Sequence, residues 1–250
     1  MTYSTHKYPG LFVMIDGPDG TGKGTLLEGM KKWAVYKGIK VLDLREYAKK
    51  NNSLPDIDTL IKYSVIVSSE PTYSSVGKAI RDIFISNESE YNPIEIAHAF
   101  ALDRHMLYNQ VIIPALDRGI HVFQERGVIT SLVYQPLQSE DITVGEIASL
   151  PGNKIALRTI PDIMIIAMTT PEEASVRLFN RCDKRDDSMF ENIEFQRKVN
   201  QAYKEDWVRE FFSKRGARFI YIDTSSPLTT QDTEKKAKEL IARVFKEYEL

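Results

Sequence analysis

The sequence predicts an α/β fold: a parallel sheet of five strands or slightly more, flanked by helices on both faces. Three observations predict it. Short runs rich in Val and Ile alternate with stretches of helical period, a glycine-rich turn follows the first run directly, and the chain closes on an amphipathic stripe. Alternation of this kind buries a parallel sheet between two helical layers, and ligands then bind beyond the carboxyl ends of the strands.

The first strand is expected over Leu11 to Ile15, and it runs into GPDGTGKGT at residues 17–25. Gly17, Gly20 and Gly22 can take backbone angles closed to other residues, so the loop through Pro18, Asp19 and Thr21 can curl its amides around one anion. Lys23 adds a cation at the spacing G-x-x-x-x-G-K, which defines a P-loop. The helix expected from Thr25 to Tyr36 points its positive end at the same phosphates. Gly24 stands where Ser or Thr usually offers a hydroxyl to magnesium, and Thr25 is the nearest substitute.

A second strand is expected over Lys40 to Leu44. Residues 45–63 read as an insertion, with polar Asn51 to Ile61 and its Leu54-Pro55 pair forming a surface loop or short helix. The third strand, Val65 to Ser68, leads to Glu70-Pro71-Thr72 and a helical segment from Gly77 to Arg81. Phe100 and Arg104 lie four apart on one helical face, where a ring can stack on a base and a guanidinium can reach a base edge or phosphate. Taken alone, Phe100 reads first as core packing and Arg104 as a solvated charge.

The fourth strand, His121 to Gln124, ends in Glu125-Arg126-Gly127, with Ser131, Tyr134 and Gln135 following at helical spacing. Arg126 emerges where it can bridge phosphates, and Glu125 where it can hold Mg²⁺ through water. After the fifth strand, Ile163 to Met168, comes RLFNRCDKR at 177–185, where Arg177, Arg181 and Arg185 align if the helix continues. Cations on a mobile segment there would close over a triphosphate as a lid at about residues 181–190. Arg218 to Ile222 is the sixth strand candidate, and Ala237, Leu240, Ile241, Val244, Phe245 and Tyr248 form the final helical stripe.

At 250 residues the chain is expected to be a single domain, without internal repeats or a low-complexity linker. Lys and Arg number 33 against 35 Asp and Glu, so there is no polycationic field for a nucleic acid and any anion site must be local. The lone Cys182 cannot form an internal disulfide, which suits a reducing, cytoplasmic setting, and no apolar run is long enough to suggest a membrane. His98, His105 and His121 show no ligand spacing and read as structural or surface groups.

Together these residues resemble the thymidylate kinase family of nucleoside monophosphate kinases over nearly the whole chain. The resemblance rests on GPDGTGKGT with its internal Asp19, the Glu-Pro-Thr turn, the F-x-x-x-R helix, the strand-end acid-Arg pair before S-x-x-Y-Q, and the Arg-bearing segment before Phe190-Glu191. It implies ATP as donor, dTMP as preferred acceptor, Mg²⁺ as cofactor and a homodimer. Lys23 and the loop amides would bind ATP, and Asp19 the acceptor's 3′-hydroxyl. Phe100 would stack on the pyrimidine, while Arg104 contacts base or phosphate. Arg126 would clamp the acceptor phosphate, and Tyr134 would fill the space a 2′-hydroxyl needs. Because Gly20 occupies a position where some relatives carry Arg, Arg181 or Arg185 becomes the expected charge stabiliser. Glu125-Arg126-Gly127 and Ser69 depart from the family's usual Asp-Arg-Tyr and Arg-Glu-Pro. Three rival readings remain: another nucleoside monophosphate kinase, a deoxynucleoside kinase with Glu70 as general base, and an NTP-binding switch or hydrolase.

Overall fold

The computed structural model describes residues 7–86, 89–180 and 192–250. Six strands form one all-parallel sheet: β1 (Phe12–Asp16), β2 (Val41–Asp43), β3 (Val65–Ser69), β4 (His121–Glu125), β5 (Ile163–Met168) and β6 (Arg218–Asp223), ordered β2-β3-β4-β1-β5-β6. Each matches a strand read from the sequence, shifted by a residue or so at its ends. β1 lies centrally, between β4 and β5, so the loop that follows it opens into the crevice where the chain's path divides.

Alternation along β1 divides the core. Leu11, Val13 and Ile15 join Leu26, Leu27 and Met30 of α1 (Lys23–Tyr36) and the stripe Ala237, Leu240, Ile241 and Val244 of α13 (Thr230–Glu247). Phe12 and Met14 face the other layer, with Leu107, Tyr108, Val111 and Tyr203. α13 starts at a capping box made by Thr229 and Asp232, and it buries the stripe expected of it.

The 45–63 segment is mostly helical. Asp43 caps α2 (Leu44–Asn51) by accepting from the Arg45 amide, and Asp56 caps the single turn α3 (Ile57–Leu60). After β3 come α4 (Ser75–Ala79), a π turn over Ile80–Phe84, and α5 (Pro93–Leu107), which starts at an Asn92–Glu95 capping box with Pro at its head. A second π turn (Tyr108–Ile112) and α6 (Ile113–Leu116) complete that layer before β4. α7 (Val128–Tyr134), α8 (Val144–Ser149) and α9 (Pro151–Arg158) fill the path to β5. α10 (Pro171–Phe179), α11 (Ile193–Lys204) and α12 (Asp206–Ser213) bridge β5 and β6. No described helix is long and apolar enough to cross a membrane.

Candidate nucleotide site

The glycine loop is shaped by contacts that only glycine permits. Gly17 (φ 137°) and Gly20 (φ 76°) have positive φ, and a Cβ on either would come within 2.5 Å or less of a carbonyl oxygen, Ala167 O and Ala174 O respectively. Gly22 begins α1 in a left-handed conformation. Asp16, fully buried at the end of β1, accepts from the Gly17 amide (2.8 Å), the Thr130 hydroxyl (2.7 Å) and the Tyr203 hydroxyl (2.6 Å). Across the loop, the Thr224 hydroxyl beyond β6 donates to Thr21 O at 2.9 Å, and the Thr21 hydroxyl donates to Pro18 O at 2.8 Å. The loop is therefore braced from two sides before any phosphate arrives.

Lys23 is buried at 4% exposure, and its ammonium donates to Gly17 O (3.0 Å) and Pro18 O (2.6 Å). Burial and then the Arg126 guanidinium push it down to about 8, against opposing pull from Asp19, Glu125 and Asp16. Arg126 follows β4 with φ 65°, a left-handed turn that a side-chain-bearing residue adopts at a cost. Its amide still donates to Ile15 O at 2.8 Å, which extends the sheet ladder by one residue and carries the guanidinium to the loop. There it pairs with Asp19, whose carboxylate also accepts from the Tyr134 hydroxyl at 3.1 Å. Burial would raise the Asp19 carboxyl, but Arg126 and Lys23 hold it at about 2, while the Arg126 guanidinium is held well above its ordinary value chiefly by Asp19.

One cavity, open to solvent, collects these groups. Of the residues expected from the sequence, Asp19, Gly22, Lys23, Gly24, Glu70, Pro71, Phe100, Glu125, Arg126, Ser131, Tyr134 and Gln135 line it. Gly17, Pro18, Gly20, Thr21 and Thr25 belong to the loop and the helix start without lining the cavity. Ser69 Oγ and Gln135 Oε1 are fully buried on its wall with no hydrogen-bond partner among the described residues. Such groups are costly unless a ligand satisfies them.

Arg104 is placed elsewhere. It is 1% exposed and off the cavity wall, its Nε donating to Glu70 Oε2 at 2.8 Å, with further bonds to Asn153 Oδ1 and Gly127 O. Neither a solvated charge nor a group facing the cleft describes it: it is the buried counter-ion of Glu70. The second Glu70 oxygen accepts from Gln124 Nε2 at 3.0 Å. Burial raises the Glu70 carboxyl to about 7, against the pull of Arg104. Glu70 also lines the cavity, so its carboxylate is held by Arg104 and Gln124 while still reaching the cavity wall. Arg181, Arg185 and Cys182, with the expected lid at 181–190, lie outside the described residues.

Sequence reasoning missed several supports. Asp16 carried a signal, an acid closing an apolar strand directly before a loop glycine; Tyr203, Thr224 and Asn153 carried none, being 187, 203 and 49 residues from their partners. Tyr73, Arg81, Ile85, Thr130, Gln138 and Leu178 also line the cavity.

A parallel sheet with a braced glycine loop after its central strand and a lysine in that loop defines the class of P-loop nucleotide-binding proteins. The thymidylate kinase family model matches residues 58–235. The chain is also similar to curated proteins called thymidylate kinase: 29% identical over 238 residues to that of Caldicellulosiruptor saccharolyticus (95% of this chain, 98% of that one), and 30% over 215 residues to that of Caldanaerobacter subterraneus (86% and 87%). A third, from Leifsonia xyli, is 27% identical over 228 residues (91% and 93%). The chain belongs to the thymidylate kinase family.

Proposed function

We propose that this chain transfers the γ-phosphoryl group of ATP to dTMP, giving ADP and dTDP, with the glycine loop holding the donor and Arg126 the acceptor phosphate. The observation that carries the reading is the meeting of Lys23 and Arg126 on one cavity, close enough for the Arg126 guanidinium to push the Lys23 ammonium down, with both cations acting on Asp19. Family membership supports the substrate pair.

Phosphoryl transfer asks mainly for alignment and for positive charge around the migrating group. A monophosphate acceptor is already anionic, its second pKa being about 6, so no base is required. Glu70, held by Arg104 and Gln124, fits that chemistry as the anchor of Arg104. Phe100, which lines the same cavity, would stack on the base, and Ser131 and Gln135 offer polar groups to its edge. Tyr134, 4% exposed and bonded to Asp19, fills the space beside the loop where a ribose 2′-hydroxyl would stand.

Mg²⁺ belongs to the same reading. Among the described residues no group of three or more His, Cys, Asp or Glu is arranged to hold a metal. Magnesium in phosphoryl transfer needs only one or two protein oxygens beside phosphate and water. Glu125 meets that need, its Oε2 lying 3.6 Å from where a Cβ on Gly24 would stand, at the lip of the loop. Thr25 supplies a nearby hydroxyl, and the bound ion would neutralise phosphate charge. Arg181 or Arg185 would complete the charge over the triphosphate. The reading extends to one kinase domain over 1–250, working in the cytoplasm as a homodimer, with exposed Ile94 and Leu102 on α5 as available apolar surface.

The test is an ADP-release assay with ATP and Mg²⁺ across the common ribo- and deoxyribonucleoside monophosphates. Turnover fastest with dTMP is the expected result. No phosphorylation of dTMP at millimolar concentration ends the reading, and ATP loss indifferent to any added nucleotide favours a hydrolase.

A further inference from the structure

Tyr73 stands on the cavity wall, and the mechanism above gives it no task. Its half-buried ring follows the Glu70-Pro71-Thr72 turn and lines the cavity that Arg81, Ile85 and Phe100 also line. The backbone before it is anchored to α5, since the Thr72 amide and hydroxyl donate to the two Asp103 oxygens at 2.7 and 2.6 Å. Two cations lie over the ring, the Arg81 guanidinium 3.9 Å and the Lys49 ammonium 4.5 Å from its centroid. Arg81 is itself tied to the turn, donating to Pro71 O and Thr72 O. Lys49 arrives from α2, in the inserted 45–63 segment. The same helix meets the turn again, where Leu44, Arg45 and Ala48 stand against Ser69, Thr72 and Tyr73 around a cleft too narrow for water.

An aromatic ring attracted by two cations has less rotational freedom than a free side chain, and a restrained ring makes a hard wall. We propose that Tyr73 sets the size of base the acceptor pocket admits, and that α2, through Lys49, holds it in position. The proposal rests on the monophosphate-kinase reading and deepens it. A pyrimidine has one ring and a purine two, so a fixed aromatic group in the cavity that Phe100 lines would discriminate by steric exclusion of the second ring. The inserted segment thereby gains a task at the site although Arg45 is engaged by Asp43 and Glu28 and only Lys49 reaches the ring.

The experiment compares kcat/KM for dTMP and dGMP, with KM for ATP, in the wild type and in Tyr73→Ala, Tyr73→Phe, Lys49→Met and Lys49→Arg, after thermal melts establish that each variant folds. Tyr73→Ala should raise the dGMP to dTMP ratio about tenfold or more, as the removal of a steric wall does. Tyr73→Phe, which keeps the ring, should leave the ratio at its wild-type value. Lys49→Met should raise KM for dTMP roughly two- to five-fold with kcat and KM for ATP unchanged, as loss of an exposed cation–π contact implies, and Lys49→Arg should restore it. If Tyr73→Ala lowers both substrates by one factor, or Lys49→Met leaves KM for dTMP unmoved, the proposal falls. Wild-type protein inert toward dTMP overturns the earlier reading instead. Should Tyr73→Ala fail to fold, the Lys49 pair alone decides the matter.

Discussion

ATP binding should draw protons from solution through Lys23. Its ammonium, 4% exposed, is held at about 8 by burial and by the facing Arg126 guanidinium. The folded value lies below the ordinary 10.5, so the folded protein binds fewer protons than the unfolded chain between those limits. Stability must then rise with pH across that window, and at neutral pH the charged ammonium destabilises the free protein by about 3 kcal/mol. A triphosphate in the loop sets negative charge against the ammonium and moves its value back up. At pH 8 roughly half of Lys23 is neutral in the free protein, so binding should take up about 0.5 proton, and ATP affinity should fall about tenfold between pH 7 and pH 9. Calorimetric titration with ATP at pH 8, in buffers of differing ionisation enthalpy, reads the proton number as the slope of the observed enthalpy. Lys23→Arg, which stays charged, should abolish the uptake. An enthalpy indifferent to buffer, together with a Kd that is flat from pH 7 to pH 9, would refute the reasoning.

Three further outcomes are expected. Arg126→Met should lower kcat/KM for dTMP by about 10³ in steady-state kinetics, the scale of losing a cation at the reacting phosphates. Arg104→Met should cost about 3–5 kcal/mol in urea unfolding at pH 8, because it strands Glu70 in the interior. Part of that loss should return at pH 5: the Glu70 carboxyl, raised by burial to about 7, then takes a proton. Thr224→Val should cost about 1 kcal/mol and raise KM for ATP more than KM for dTMP, since the lost hydroxyl bonds run to Thr21 O and Met168 O behind the loop.

What could be read from the chain depended on range. All six strands were legible because each is a short apolar run whose neighbours break the pattern, and the phosphate loop because its signal lies within nine consecutive residues, 17–25. Phe100 and Arg104 shared a helical face in the sequence, but the helical period does not say how deep each side chain sits. Phe100 reached the cavity, whereas Arg104, one turn on, was captured by Glu70, 34 residues earlier in the chain, and by Asn153, 49 residues later. A guanidinium at a surface spacing turned inward because a buried carboxylate was waiting for it, and local pattern carries no record of that partner.

The register of the sheet is what delivers the chemistry. Ile15 and Ser69 both stand beside Glu125, so β1, β3 and β4 end level. Two backbone bonds then continue the ladder past the strands: Arg126 N–H to Ile15 O at 2.8 Å and Glu70 N–H to Glu125 O at 2.9 Å. Arg126 and Glu70 are therefore positioned by sheet hydrogen bonds before their side chains make any contact. From that point the two residues diverge. Glu70 is answered by Arg104 and Gln124 and is held, nearly buried, on the cavity wall. Arg126, turned by its positive φ, is answered by Asp19 of the loop and remains partly open on the cavity. One residue's slip in β4 would exchange the faces of the strand and send the guanidinium away from Lys23. The distance between the two cations thus depends on three strand ends as much as on either side chain.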